Sequence, residues 1–196
     1  QILESLSFYN IKVSLKSSCV LTMIKAVKMF SKERDYPLHL GVTEAGSFAM
    51  SAVRSAMGIG SLLMEGLGDT IRVSVAGNPI KEMEIAKEIL VSLGLKKGIR
   101  FIACPTCGRT TTSTEDLTLA LQEKFGHLAI PLTIAVMGCV VNGPGEAKEA
   151  DIAIIGGKEE NLIFYQGQFK EKVSPIHTFS RLEFYKKVDL VVEAFN

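Results

Sequence analysis

The chain has 196 residues, 47% hydrophobic and 22% charged, which is enough apolar material for one large or two small domains with buried cores. A net charge of +1 leaves no electrostatic footprint for a nucleic acid or an anionic membrane surface, and no apolar run approaches the ~20 residues of a membrane-spanning helix. Four cysteines without a visible secretion signal point to a reducing, cytoplasmic setting, where closely spaced cysteines serve metal or redox chemistry in preference to disulfides.

Taken in chain order, Ile11–Lys16 alternates apolar and polar residues and predicts a strand, followed by helical spacing from Leu21 to Phe30. Leu38–Thr43 predicts a second strand and Ser47–Met64 a helix rich in small residues. Thr70–Val75 predicts a third strand, followed by a helix capped by Asn78, begun by Pro79 and stopped by Gly94. Three βα units in succession predict a parallel sheet. The strands carry polar residues on one face: Lys12, Ser14 and Lys16; His39, Gly41 and Thr43; Arg72 and Ser74. Strands covered by helices on both sides are apolar throughout, so a polar row indicates the interior rim of a barrel. Lys16, Glu44 and Ser74 fall at strand C-terminal ends, where barrel sites form. Three units do not close an eight-stranded barrel, so residues 1–97 are expected to be the last three βα units of a TIM-type barrel that binds substrate.

Residues 98–196 predict a second, small α/β domain. It has a strand at Ile99–Ala103, a Thr112/Glu115 capping box opening a helix from Ser113 to Phe125, and a strand at Leu132–Val136. Strands at Asp151–Ile155 and Ile163–Tyr165 and a closing helix at Leu182–Phe195 follow. Its loops hold the cysteines. Cys104-Pro-Thr-Cys107 places two thiols on one turn, and Cys139 opens a second turn, Met137-Gly-Cys-Val-Val-Asn-Gly-Pro-Gly-Glu146. The glycines allow backbone to approach a bulky cluster closely. A zinc site would take a fourth Cys or His, and His39, His127 and His177 are poorly placed in sequence to supply one. Glu146 supplies an oxygen, and three soft thiolates with one carboxylate suit an iron–sulfur cluster that has one less tightly held iron. A zinc ribbon, a thioredoxin-like pair, a pure electron-transfer module and a structural zinc interaction domain are the competing readings. Cys19, alone at a helix start, reads as a small packing residue, and the methionines read as core filler.

Cys104-Pro-Thr-Cys-Gly-Arg109 and Met137–Glu146, with Leu38-His-Leu-Gly-Val-Thr-Glu-Ala-Gly46 and Gly66-Leu-Gly-Asp-Thr-Ile-Arg-Val-Ser74 upstream, resemble the 4-hydroxy-3-methylbut-2-enyl diphosphate synthase family over nearly the whole chain. The resemblance implies a barrel that binds 2-C-methyl-D-erythritol 2,4-cyclodiphosphate and a C-terminal domain that carries a [4Fe-4S] cluster. The reaction is a two-electron reductive ring opening in non-mevalonate isoprenoid synthesis. It also implies ferredoxin or flavodoxin as electron donor and a head-to-tail homodimer. Residue by residue, it assigns Cys104, Cys107, Cys139 and Glu146 to the cluster and Asn142 to a place near cluster and substrate. Glu44 is assigned to proton transfer, and Lys16, Arg72 and Ser74 to the diphosphate. The family's first barrel strands, about five of the usual eight, have no counterpart here, nor does the insertion some relatives carry between the domains. The likeness is therefore to the short form. Considered without the family, Glu44 equally suits a helix cap for the stretch beginning near Ser47. Lys16 and Arg72 also suit salt bridges in a barrel layer, although their strand-end positions favour anion binding, and His39 suits a satisfied polar core residue.

Overall fold

Parallel pairing between short extended segments organises the first half of the chain. The computed structural model describes residues 2–157 and 160–173; the helix expected at Leu182–Phe195, and His177, lie outside the described residues. The chain divides into two compact units between Lys96 and Lys97.

In the first unit, α1 (Ile2–Ser5) and α2 (Val20–Glu33) flank an extended segment, residues 11–17, which meets residues 38–42 through isolated parallel bridges, Val13 with Leu38 and Ser17 with Val42. The expected continuous strand at Ile11–Lys16 is thus reduced to isolated bridges at Val13 and, just beyond it, Ser17. Between the bridges, Lys16 Cε lies 3.5 Å from where a Cβ on Gly41 would stand. β1 (His39–Leu40) pairs in parallel with β2 (Thr70–Ile71), in the register His39–Thr70 and Leu40–Ile71. The three segments therefore lie side by side in sequence order. Leu38, Leu40, Val42 and Val73 turn their alternate face inward, onto Met23 and Val27 of α2, Ile59 and Leu62, and Ile85 and Ile89 of α5 (Ile80–Ser92). Each such large side chain taken out of water stabilises the unit by about 1.5–3 kcal/mol.

The helix expected over Ser47–Met64 is broken into α3 (Phe48–Ser55), one π turn (Ala56–Gly60) and α4 (Ser61–Met64). Gly58, in the π turn, lies where a Cβ would come within 2.7 Å of Val42 Cγ2 and 2.9 Å of Met23 Cε. The wider turn brings bare backbone onto the strand layer. Of the seven methionines, Met23 and Met137 are buried, while Met29, Met50, Met57, Met64 and Met83 are exposed. They are helix-flank residues, and the expectation of core filler fails for them.

The second unit is a five-stranded sheet in the order β3 (Arg100–Ala103), β4 (Thr133–Met137), β5 (Ile152–Ile155), β6 (Asn161–Tyr165), β7 (Gln168–Val173). The first three strands are parallel, and β6 and β7 are antiparallel additions. Helix α6 (Thr114–Phe125) places Leu117, Leu121 and Phe125 against Ile134, Val136, Ile152 and Ile154. On the opposite face Ala135, Met137, Ala153 and Ile155 pack with Ala147 and Ala150, in and after the short α7 (Gly143–Glu146). β4 and β5 are thus covered on both sides, which explains their unbroken apolar sequences. β6 turns into β7 through Gln166 and Gly167, both at positive φ (50° and 72°), a two-residue hairpin of the primed type that matches strand twist. Phe164 and Phe169 meet across it edge to face, with centroids 5.7 Å apart. No helix among the described residues is long and apolar enough to cross a membrane.

Candidate functional site

Two groups of polar side chains stand out, one in each unit. In the first, Gly41 is the bare position between Lys16 and Arg72: a Cβ there would meet the Arg72 carbonyl oxygen at 2.8 Å and Lys16 Cε at 3.5 Å. The absence of a side chain lets the Lys16 stem cross the strand layer toward Arg72. Burial, and then the Arg72 charge, holds the Lys16 ammonium below its ordinary pKa. Among the described residues neither Lys16 nor Arg72 makes an ion pair, so the salt-bridge reading of this layer fails. His39 shares the row. Its Nδ1 lies 2.7 Å from the Thr70 hydroxyl, and its carbonyl accepts from the Ser14 hydroxyl at 2.9 Å. Burial, then Lys16, Lys12 and Arg72, lower its pKa. The row is cationic and, among the described residues, has no carboxylate paired to it, which is the electrostatic form of an anion site.

Ser74 follows Arg72 on the same strand row, and its carbonyl accepts from the Ser51 hydroxyl of α3 at 2.7 Å. Glu44 is exposed on the loop after Val42, in the left-handed region at φ 53°, which is uncommon for a residue with a side chain. Arg54 Nη1 donates to the Glu44 and Ala45 carbonyls at 3.3 and 3.2 Å and braces that loop. Glu44 does not cap α3: Ser47 holds the cap position, and no side chain caps it.

In the second unit the parallel register of β3 and β4 pairs Ala103 with Val136, so both strands release their loops at the same end. Cys104 follows β3 directly, and Gly138-Cys139 follows β4. Ligands of open α/β sheets gather at this carboxyl end. The Gly138 amide donates to Cys104 Sγ at 3.0 Å, linking the two cysteine loops, and Thr111 donates to the Gly138 carbonyl through its amide (2.8 Å) and its hydroxyl (3.1 Å). Gly156, at the end of β5, packs so closely that a Cβ there would meet that same carbonyl at 2.7 Å. The turn Cys107–Thr110 closes by a 3.0 Å backbone bond. The Arg109 amide, then the Thr110 hydroxyl, lower the Cys107 thiol from its ordinary pKa. Asn142 and Glu146 bracket α7, both exposed, and the Asn142 carbonyl accepts from the Gly145 and Glu146 amides at 3.0 Å each.

All four cysteines are free thiols. Among the described residues, no three His, Cys, Asp or Glu side chains gather tightly enough to hold a single metal ion. A mononuclear zinc centre needs such a gathering, with all ligands about 2.0–2.3 Å from one ion. A cubane cluster takes its thiolates at separate iron corners, and the donor set here, three thiols with amides aimed at sulfur, has the chemistry for it. Cys19 is exposed at the N-cap of α2, and Thr22 lowers its pKa by hydrogen bonding, so it is no packing residue. Thr110 and Thr111 are the site residues sequence reasoning missed, whereas Gly138 was expected from its Gly-rich turn as a backbone donor near the cluster. The Thr110-Thr111-Thr112 run just after the cysteine turn was the available signal.

A parallel-stranded unit with a cationic strand row, joined in one chain to a cysteine-bearing α/β unit, is the class the structure defines. Comparison with known proteins narrows it. The model for the GcpE TIM-barrel domain matches residues 1–87, and that for the GcpE protein C-terminal domain matches residues 100–187. Relatives named 4-hydroxy-3-methylbut-2-en-1-yl diphosphate synthase (flavodoxin) include that of Clostridium perfringens, 52% identical over 174 residues, which are 88% of this chain and 50% of the relative. The Thermotoga maritima relative is 47% identical over 185 residues (94% and 54%), and that of Lawsonia intracellularis 49% over 199 aligned positions (100% and 55%). The chain belongs to the GcpE family, and it spans about half the length of the curated relatives it matches.

Proposed function

We propose that Cys104, Cys107 and Cys139, with Glu146 as oxygen donor, hold a [4Fe-4S] cluster, and that residues 1–97 are the last three βα units of a substrate-binding TIM-type barrel. In the whole protein these parts carry out the reductive ring opening of 2-C-methyl-D-erythritol 2,4-cyclodiphosphate to 4-hydroxy-3-methylbut-2-enyl diphosphate. The observation that carries this reading is the Gly138 amide 3.0 Å from Cys104 Sγ, which joins the two cysteine loops at one sheet end. When bound, the cluster supplies electrons one at a time to the substrate.

The chain's own residues do the rest. Lys16 and Arg72 bind the diphosphate, a compact multiply charged anion suited to charge-assisted hydrogen bonds, and Ser74 adds a hydroxyl at the strand end. Loss of the substrate hydroxyl as water requires a proton at that oxygen, and Glu44, projecting from the braced loop, delivers it. Asn142 orients substrate beside the cysteine loops. Flavodoxin, printed in the relatives' names, is the proposed electron donor, with ferredoxin as the alternative, and the working assembly is a homodimer.

The test is iron and acid-labile sulfide content, with the absorption spectrum, after anaerobic reconstitution. About four of each per chain, lost in Cys139→Ser, is expected. Zinc without sulfide would overturn the cluster.

A further inference from the structure

We propose that the Thr110 hydroxyl is a positioning group for the cluster: it fixes the Cys107 thiolate and helps set the cluster's reduction potential. The inference rests on the cluster reading above and extends it to a residue outside the ligand set.

The Thr110 hydroxyl makes two contacts to one cysteine. Its oxygen accepts from the Cys107 amide at 3.1 Å, and its proton points to Cys107 Sγ at 3.8 Å. The backbone bond from the Thr110 amide to the Cys107 carbonyl closes the same turn, so the hydroxyl is aimed by backbone as well as by its own rotamer. The other side of Thr110 is fixed by Gly138. A Cβ on Gly138 would stand 2.9 Å from both Thr110 Cγ2 and Oγ1, so Thr110 lies directly against the residue whose amide donates to Cys104 Sγ. One side chain thus touches the Cys107 turn and the Gly138 turn together, and its hydroxyl proton points to a ligand sulfur. A donor to a thiolate draws electron density from the sulfur and favours the reduced cluster, while loss of the donor makes reduction harder.

Two variants separate the hydroxyl from its shape. Thr110→Val keeps the volume and removes the donor, and Thr110→Ser keeps the donor. The chain is reconstituted anaerobically with iron and sulfide, iron is counted, and the midpoint potential is read by redox titration followed by electron paramagnetic resonance. The expected result is Thr110→Val with wild-type iron content and a more negative midpoint, and Thr110→Ser at the wild-type midpoint. A Thr110→Val chain that keeps its circular dichroism yet loses iron, with Thr110→Ser retaining it, supports the role equally. A wild-type midpoint in Thr110→Val, or equal effects of Val and Ser on iron or potential, overturns it. Failure of the unsubstituted chain to take up iron and sulfide overturns the cluster reading itself, and that outcome is seen before any variant is compared.

Discussion

Glu44 sits at φ 53° with its loop carbonyls held by Arg54. A left-handed residue with a Cβ costs roughly 1–2 kcal/mol, and glycine removes that cost while adding chain entropy to the unfolded state. Glu44→Gly is therefore expected to stabilise the first unit by up to about 1 kcal/mol, measured by urea unfolding. In the complete protein the same change removes the proposed proton donor, so turnover should fall as stability rises. A variant that is stabilised and fully active would remove Glu44 from the chemistry. His39 permits a second test. Its pKa is lowered by burial and by three cations, so on linkage grounds its neutral form favours folding, and stability falls as pH drops through the ordinary histidine range. A bound diphosphate offsets those cations and raises the His39 pKa toward its ordinary value. Binding of inorganic diphosphate should then gain a proton-uptake component from His39 below the ordinary histidine pKa of about 6.5. Calorimetry in buffers of different ionisation enthalpy measures that component, which His39→Gln should abolish.

At the scale of elements, the cap of α6 shows how far a sequence pattern specifies local structure. Thr112 and Glu115 have capping-box spacing, but the Ser113 hydroxyl accepts the Asp116 amide at 3.2 Å, one residue on, and Thr112 Oγ1 is buried without a partner. Three consecutive hydroxyl residues, Thr111, Thr112 and Ser113, offer competing caps of nearly equal propensity, and tertiary contacts decide among them: Thr111 is held by the Gly138 carbonyl, and Thr114 donates to the Cys104 carbonyl at 3.3 Å. Ser113→Ala should cost about 1 kcal/mol, and Thr112→Ala distinctly less, in denaturant unfolding. The reverse order would restore the earlier register. The strands of the second unit were legible because β4 and β5 are apolar on both faces. β7 was not, because Gln168-Phe169 opens a strand with little alternation and its signal lies in the Gln166-Gly167 turn. The π turn was illegible for a different reason: only the closeness of Val42 and Met23 to Gly58 makes it necessary, and that contact spans distant sequence. The cysteines were legible from spacing and the Gly138 donor from its Gly-rich turn, whereas the Thr110 donor depends on how the Cys107 turn folds.

At the scale of the molecule, the proposed chemistry is divided between two units with separate cores. The cationic row around Gly41 belongs wholly to residues before Lys97, and the three cysteines wholly to those after it. Binding of anion and loading of the cluster should therefore respond to different substitutions. Lys16→Gln with Arg72→Gln removes two unpaired cations from the row. Each charge-assisted hydrogen bond lost is worth roughly 1.5–3 kcal/mol, so inorganic diphosphate should bind at least tenfold more weakly, while iron and sulfide content stay at the level of the unsubstituted chain. Cys139→Ser should do the reverse, losing iron and sulfide while leaving diphosphate affinity unchanged. Raised salt gives an independent check, because an exposed anion site weakens as its charges are screened. Diphosphate affinity should fall between 0.05 and 0.5 M salt, roughly the range over which the Debye length shrinks below 10 Å, and the double variant should lose most of that salt dependence. If the double variant lost its iron as well, the two sets of residues would be energetically coupled and the division of labour between the units would be wrong. If it kept both iron and diphosphate affinity, the cations around Gly41 would be structural, and the anion site would have to be sought elsewhere.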